Sequence, residues 1–280
     1  MTTRSVALSG KSRARRTANG PVVETGARAG FVARGLIYVL VGVLALRIAL
    51  SDGGGQQADR GGAIAEIAHR PFGSVLLWML GAALAGMALW RLSEAFFGQS
   101  GQDGGKARKR ATAAGRAVFY AFVSYSVLSY AAGDKNSGSG SSDHRSNDVT
   151  AEVLGWPAGQ WIVGAAGAAV VGGGLWIAAR ALMHKYRKRL KMAEMSPSTR
   201  RAVDCLGVFG GAARGIVFAT AGGFAIAAAV QREPGKAKGM DDTLRSFCET
   251  PAGPWLLGLI ALGLAAFGVF SWASARWRTV

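Results

Sequence analysis

The sequence predicts an all-α, polytopic integral membrane protein: six transmembrane helices built as three parallel two-helix repeats in a pseudo-threefold arrangement. Three observations predict it. Half of the 280 residues are hydrophobic and fall in long runs rather than alternating, the pattern of lipid-spanning helices and not of half-buried strands. Lysine and arginine gather in every second loop. Closely similar text also occurs three times, which marks a repeated structural unit.

The first helix is expected over 29–50. Its opening text, "GFVARGLIYVL", sets Arg34 inside an apolar run, and only 12 uncharged residues separate Arg34 from Arg47. Twelve residues rise about 18 Å, so the helix crosses a hydrocarbon core of about 30 Å only by including its flanking arginines. The second helix, 73–97, uses the 20 uncharged positions between Arg70 and Arg91. The third, 114–132, and the fifth, 207–230, have 17 uncharged residues each after Arg116 and Arg214, whereas the fourth, 158–183, and the sixth, 253–275, draw on uncharged runs of 27 and 26.

Triplets of Pro-x-Gly at Pro71, Pro157 and Pro251 mark where each even helix begins, because proline in a first turn loses no needed hydrogen bond and presets φ. Before each triplet a short helix is expected at the outer surface. Asp148 and Asp241 read as N-caps, and Ile64, Ile67, Val153, Leu154, Leu244 and Phe247 supply an apolar side. The Gly/Ser-rich text from Gly133 to Asp148 reads as a flexible linker. This divides the chain into a basic disordered tail, 1–26, and hairpin repeats over 27–98, 99–190 and 191–280.

Charge sets the orientation. With the N-terminus, the segments near 98–116 and 180–214 and the C-terminus on one side, 24 of the 33 lysines and arginines and 5 of the 16 acids lie there, a balance of +19 against −2 opposite. Basic loops stay in the cytoplasm, so both termini are expected inside and the protein in a cytoplasmic membrane. The stretches "GKSRARR" and "HKYRKRLK" would attract anionic lipid headgroups; as juxtamembrane topology signals they do not imply nucleic acid. The first helix is expected to be retained rather than cleaved, since its charged lead is long and no small-x-small site follows. Cys205 and Cys248 fall on opposite faces and cannot pair within the chain.

Across the repeats Arg34, Arg116 and Arg214 correspond, as do Trp90, Trp176 and Phe270. In "GFVARGLIYVLVG", "ALWRLSEA", "WPAGQW", "GMDDTLR" and "PAGPWLLGLIALGLAAFG" the chain resembles the bacterial membrane family known as domain of unknown function 1206. The resemblance covers most of residues 27–279. It implies a six-helix integral membrane protein with no assigned activity. The chain departs from it at Ser274, where family copies often carry an acid, as Glu94 does here. All three units enter from one side, so they are parallel repeats rather than an inverted pair.

The repeated arginines carry two readings. Long side chains near a helix start can snorkel to the headgroups and serve as anchors. Alternatively Arg34, Arg116 and Arg214 face a common axis and hold a phosphate or carboxylate of a solute or lipid headgroup at the cytoplasmic mouth. An ion pair among Arg34, Arg91 and Glu94 is a third expectation. Ser124, Tyr125, Ser126 and Ser129 could line a narrow polar path, or satisfy one another between helices. Rows of small residues, Gly207, Gly211 and Gly215 above all, with Gly26 and Gly30 and with Gly164, Ala168 and Gly172, suit close helix packing.

No catalytic or metal signature is found. His69, His144 and His184 fall in different loops, "GSGSS" lacks the setting of a nucleophile elbow, and no glycine fingerprint for phosphate or dinucleotide occurs. The expectation is a non-catalytic membrane protein without cofactor, organising anionic lipids or protein partners through its basic face. The alternative is a small transporter or channel with a threefold central path and an arginine-lined mouth.

Overall fold

The computed structural model describes residues 21–50, 57–97, 107–133 and 142–278. Among these the fold is α-helical, with no strands. Six long helices are α1 (Pro21–Leu50), α3 (Gly73–Phe97), α4 (Ala107–Ala131), α6 (Gly159–Leu182), α7 (Pro197–Gln231) and α9 (Gly253–Trp277). Short helices α2 (Arg60–Ala68), α5 (Ser142–Leu154) and α8 (Met240–Cys248) each precede an even member of the set. Five of the long helices are long and apolar enough to cross a membrane. The exception is α4, whose first ten positions include Arg108, Lys109, Arg110 and Arg116.

The even helices start and end within two residues of expectation. The odd ones do not. Helices α1, α4 and α7 begin at Pro21, Ala107 and Pro197 rather than 29, 114 and 207. The 35 residues of α7 rise about 52 Å, well beyond a hydrocarbon core. Hydropathy marks where lipid ends, not where a helix does, and arginine and lysine are good helix formers in water. Residues 21–26, assigned to a disordered tail from the sequence, therefore belong to α1, where Glu24 pairs with Arg28 at 2.6 Å. The rest of that tail, residues 1–20, and linker residues 134–141 lie outside the described residues.

The three Pro-x-Gly triplets fold into the same turn. The amides of Gly73, Gly159 and Gly253 donate to the carbonyls of Arg70, Trp156 and Thr250 at 2.9, 2.9 and 2.8 Å. A Cβ on any of these glycines would meet a carbonyl oxygen of the preceding short helix, of Ile67, Val153 or Cys248. The turn thus needs glycine because two backbones touch there. Exposed Trp161 and Trp255, four residues after their prolines and 79 % and 86 % accessible, sit where an interfacial aromatic belt is expected.

The long helices pack in the series α4, α3, α1, α9, α7, α6, each along the next, while among the described residues α4 and α6 at its two ends form no extended contact with one another. Close crossings explain the series. A Cβ on Gly215 would lie 2.6 Å from the Gly174 oxygen and 2.7 Å from the Ala178 nitrogen, and one on Gly222 would lie 2.7 Å from the Val171 nitrogen. Gly268 likewise faces the Gly35 oxygen at 2.6 Å, and Gly26 the Gly86 Cα at 3.2 Å. Without a hydrophobic drive between helices in lipid, such small-residue contact is what holds them together.

At the end where the short helices lie, acidic side chains link all three repeats. Asp241 accepts from the Ala58 amide at 2.7 Å and from Arg245 Nε at 2.8 Å, and Asp143 accepts from the Asp242 amide at 3.1 Å. Two sequence expectations need correction. Asp241 is a buried residue inside α8, whose N-cap is Gly239, and Asp148 lies within α5, which begins at Ser142. The residue that does cap a short helix is Asp59, accepting from the Gly62 amide at 2.8 Å. It was missed because Asp59 precedes glycines that dilute a helix signal.

Asp143, Asp241 and Asp242 place carboxylate oxygens within 4.8 Å of one another. Burial, then the charges of Asp242, Asp241 and Asp59, raises the Asp143 pKa to about 6 against the pull of its hydrogen bond from the Asp242 amide. Above the unfolded value the folded state then holds the extra proton, so stability falls as pH rises from about 4 through about 6. Asp143→Asn keeps the acceptor and removes the charge. It is expected to stabilise the protein by about 1–2 kcal/mol at pH 7.5, since each tenfold loss of acidity on folding costs about 1.4 kcal/mol, and by little at pH 4. Denaturation in detergent at both pH values measures this.

Candidate functional site

At the opposite, basic end a cavity of about 200 Å³ opens between the helices. Arg34 of α1, Arg116 of α4, Arg180 of α6, Arg189 of the α6–α7 loop and Arg278 just past α9 all line it, and among the described residues no aspartate or glutamate does. The rest of its wall is largely apolar and aromatic, including Trp176, Phe267 and Phe270.

Local structure explains how so many arginines converge. After α6 the chain makes two short 3-10 turns, Lys185–Arg189 and Met192–Glu194. Tyr186 packs on Phe270, ring centroids 5.2 Å apart, and donates to the Asp204 carbonyl at 3.0 Å. Arg187 grips the Asp204 carboxylate through two bonds of 2.9 and 2.6 Å. The Lys191 amide then donates to the Trp277 carbonyl at 2.8 Å, pinning the loop to the end of α9. Arg189 and Arg278 are thereby held beside the cavity. "HKYRKRLK", read in the sequence as a basic flank, is thus an ordered lid.

Arg34, Arg180 and Arg278 meet neutral partners. Arg34 donates through Nε to Ser271 Oγ at 3.1 Å and through Nη1 to Tyr120 Oη at 3.4 Å, and lies 5.0 and 5.2 Å from the rings of Phe31 and Phe267. Arg278 sits 4.8 Å from the Phe31 ring and 5.4 Å from that of Trp90, and Arg180 5.9 Å from that of Trp176. Cation–π contacts of this kind are worth about 0.5–2 kcal/mol. They leave the charge of these three arginines unneutralised. Arg116, Arg180 and Arg278 form no ion pair among the described residues.

Burial first, then the charges of Arg91, Arg189 and Arg34, presses the Arg278 guanidinium well below its ordinary pKa. Arg189 is lowered by burial and by Arg180 and Arg91. The acid whose charge opposes these effects at both sites is Glu94. A set of confined cations that repel one another is favourable for an incoming anion, and the planar fork of arginine suits a phosphate or carboxylate.

A second cavity, of about 240 Å³, lies deeper and is lined by Arg34, Arg214, Tyr38, Tyr120, apolar side chains and, toward the acidic end, Asp59, Arg60 and Gly61. The Arg214 guanidinium rests among the rings of Phe267, Phe218 and Tyr38 at 4.9, 5.2 and 5.4 Å, and its buried Nε has no hydrogen-bond partner. Of the three repeated arginines, Arg34 and Arg116 therefore share the basic cavity, Arg34 and Arg214 the deeper one. Arg34 stands between the two.

The other expectations fare unevenly. Arg91 and Glu94 pair at 2.6 Å, but Arg34 joins neither of them. Its partners come from α9 and α4 instead. Ser124, Tyr125, Ser126 and Ser129 line neither cavity; Ser124 is buried and donates to the Gly81 carbonyl at 2.8 Å, tying α4 to α3, while Tyr125 is exposed. The residues of α4 that reach the deeper cavity are Phe119, Tyr120 and Val123. Gly207, Gly211 and Gly215 do lie at close contacts, against Tyr186 and Phe270, Ala181, and Gly174 with Ala178 respectively. Gly207 and Gly211 also line the basic cavity. On α6 the packing row is Gly167, Gly174 and Ala181, not Gly164, Ala168 and Gly172.

Arg180, Arg189 and Arg278 were missed as site residues. A signal for the first was present: counting four positions from Trp90, Trp176 and Phe270 reaches Glu94, Arg180 and Ser274. One repeat position thus carries an acid, a base and a neutral residue, and Ser274, which bonds back to the Phe270 carbonyl at 2.9 Å, lines the cavity without neutralising it.

The family model described as Domain of Unknown Function (DUF1206) matches this chain three times in tandem, over residues 29–98, 111–184 and 209–278. A relative in Bacillus subtilis (strain 168), "Uncharacterized protein YxxB", is 27 % identical over 254 residues, covering 90 % of each chain. No solved structure matches.

Proposed function

The chain belongs to the DUF1206 family, and from that premise we propose that it is a non-catalytic, six-span membrane protein that binds an anionic group at its basic end. The spans form three parallel hairpins about a pseudo-threefold axis, α4 being the sixth. That arrangement is supported by the identical Pro-x-Gly turns and by the series of helix neighbours, in which α3–α4, α7–α6 and α1–α9 each join one repeat to another. The basic end faces the cytoplasm of a bacterial plasma membrane, in keeping with the +19 charge balance of that side.

One observation carries the reading: among the described residues five arginines and no acid line one cavity. Cations of one sign gathered around one partly enclosed space repel one another, and a bound phosphate or carboxylate relieves that repulsion. A transport path reads less well, because Ser124, Tyr125, Ser126 and Ser129, the polar residues of α4 suited to line one, border neither cavity.

Arg116→Gln and Arg278→Gln each remove one charge-assisted hydrogen bond worth about 1.5–3 kcal/mol. Each is expected to weaken binding of phosphatidylglycerol to the purified protein about tenfold or more. Ligand-induced shifts in thermal unfolding measure this. Unchanged affinity in both variants would refute the site.

A further inference from the structure

Resting on the anion-site reading above, we propose that the occupant is an anionic phospholipid of the basic-side leaflet, which enters sideways between α4 and α6 with its phosphate among the arginines and an acyl chain along α6. The series of packed helices is open at that one place, since α4 and α6 do not pack on each other among the described residues. The basic cavity reaches this opening. Its rim is made by Arg116 of α4 and by Trp176 and Arg180 of α6, and both Arg116 and Trp176 are exposed.

The wall of α6 below that rim is stripped of side chains. Residues three and four apart share a helix face, so the face holding Trp176 and Arg180 continues through Gly173, Gly172 and Ala169. A Cβ added at Gly172 or Gly173 would meet nothing within 4 Å. This is the opposite of Gly174, whose neighbours on α7 leave no room. Two adjacent glycines that face open space serve no helix packing. They leave a strip of bare backbone facing open space, against which an acyl chain could lie as in a groove.

Length and charge fit one kind of occupant. From Arg180 back to Ala169 the helix rises about 16 Å, close to half of a hydrocarbon core of about 30 Å. The groove therefore starts at a cluster of cations and ends near mid-bilayer, the depth of a single leaflet. A free anion would use the cations but has no use for the groove; a neutral lipid would use the groove but not the cations. Phosphate is the chemistry that a lipid and a soluble ion share, and the groove selects the lipid.

The test uses the full chain purified in detergent, with phosphatidylglycerol, phosphatidylcholine and inorganic phosphate as separate probes, read by native mass spectrometry and thermal shift. Gly172→Leu and Gly173→Leu, made singly, fill the groove and touch no arginine. They are expected to weaken phosphatidylglycerol binding at least tenfold and to leave unfolding of the lipid-free protein unchanged. Wild type is expected to prefer phosphatidylglycerol over phosphatidylcholine at least tenfold. If both leucine variants bind phosphatidylglycerol like wild type, the groove proposal is overturned, while loss of that binding in Arg116→Gln would leave the anion site standing. If inorganic phosphate alone binds, the ligand is a soluble anion and the lipid is overturned. Binding of neither probe by wild type overturns both readings.

Discussion

Gly215→Leu is expected to destabilise the protein by about 3 kcal/mol or more and to detach α6 from α7. At this crossing even a single Cβ would lie 2.6 Å from the Gly174 oxygen, 2.7 Å from the Ala178 nitrogen and 2.8 Å from its Cβ. Two of these three neighbours are backbone atoms, so no rotamer change makes room. The axes must separate. Overpacking a well-filled site costs about 1–3 kcal/mol when side chains can adjust, and here they cannot. Nor is there a local remedy in lipid, where the contact itself, rather than exclusion of water, holds helices together. Because α6 forms no extended contact with α4 among the described residues, losing α7 frees most of its length. Chemical unfolding in detergent, with protection of the α6 and α7 backbone amides followed by hydrogen exchange, measures both effects. Gly172→Leu, two positions from Gly174 but on an open face of α6, is the control and should shift stability by less than about 0.5 kcal/mol. Equal effects of the two substitutions would refute this account of the crossing.

That contrast also locates what could be read from the sequence. Small residues four apart on α7, at Gly207, Gly211 and Gly215, correctly announce a packing face because all three lie against another element. On α6 nearly every position from Gly164 to Gly174 is glycine, alanine or valine, so several rows compete and composition does not choose among them. Only the position of α7 does. The even helices were legible to their ends because proline and glycine punctuate them chemically. The odd helices were legible only at their far ends, since their starts run on through basic text that is helical without being lipid-soluble.

The arginine cavity was half legible. Repeat alignment singled out Arg34, Arg116 and Arg214, which do lie on cavities. The same alignment cannot find Arg189, which belongs to a loop without a counterpart in the other repeats, or Arg278, whose place depends on the contact of Lys191 with Trp277. Nor does sequence decide between the partners of Arg34. Glu94 is an acid at a matching depth, but Ser271 and Tyr120 lie nearer, on helices that only the tertiary packing brings to α1.

Glu94→Gln is expected to destabilise the fold by about 3–5 kcal/mol, although it alters no volume to speak of. Arg91 is buried, its side chain 3 % exposed, and Glu94 holds it at 2.6 Å with a side chain 14 % exposed. Breaking a buried pair by removing one partner leaves an uncompensated charge, and the cost is about that large. Arg91 has little else: its guanidinium carbon lies 4.0 Å from the Trp90 ring centroid, and its Nε has no partner. The loss spreads further, since Arg189 and Arg278 also feel Glu94 as an opposing acid. Removing both charges, in Arg91→Met with Glu94→Leu, should therefore recover most of the stability lost in the single variant, as replacement of a buried pair by apolar residues commonly does. Unfolding in detergent measures the single and double variants. An anionic ligand turns the same deficit into a functional readout. With one acid fewer beside the arginines, phosphatidylglycerol should stabilise Glu94→Gln more than it stabilises the wild type, whereas phosphatidylcholine should not distinguish them. A single variant as stable as the wild type would mean that water reaches Arg91 and that Glu94 is not what compensates its charge.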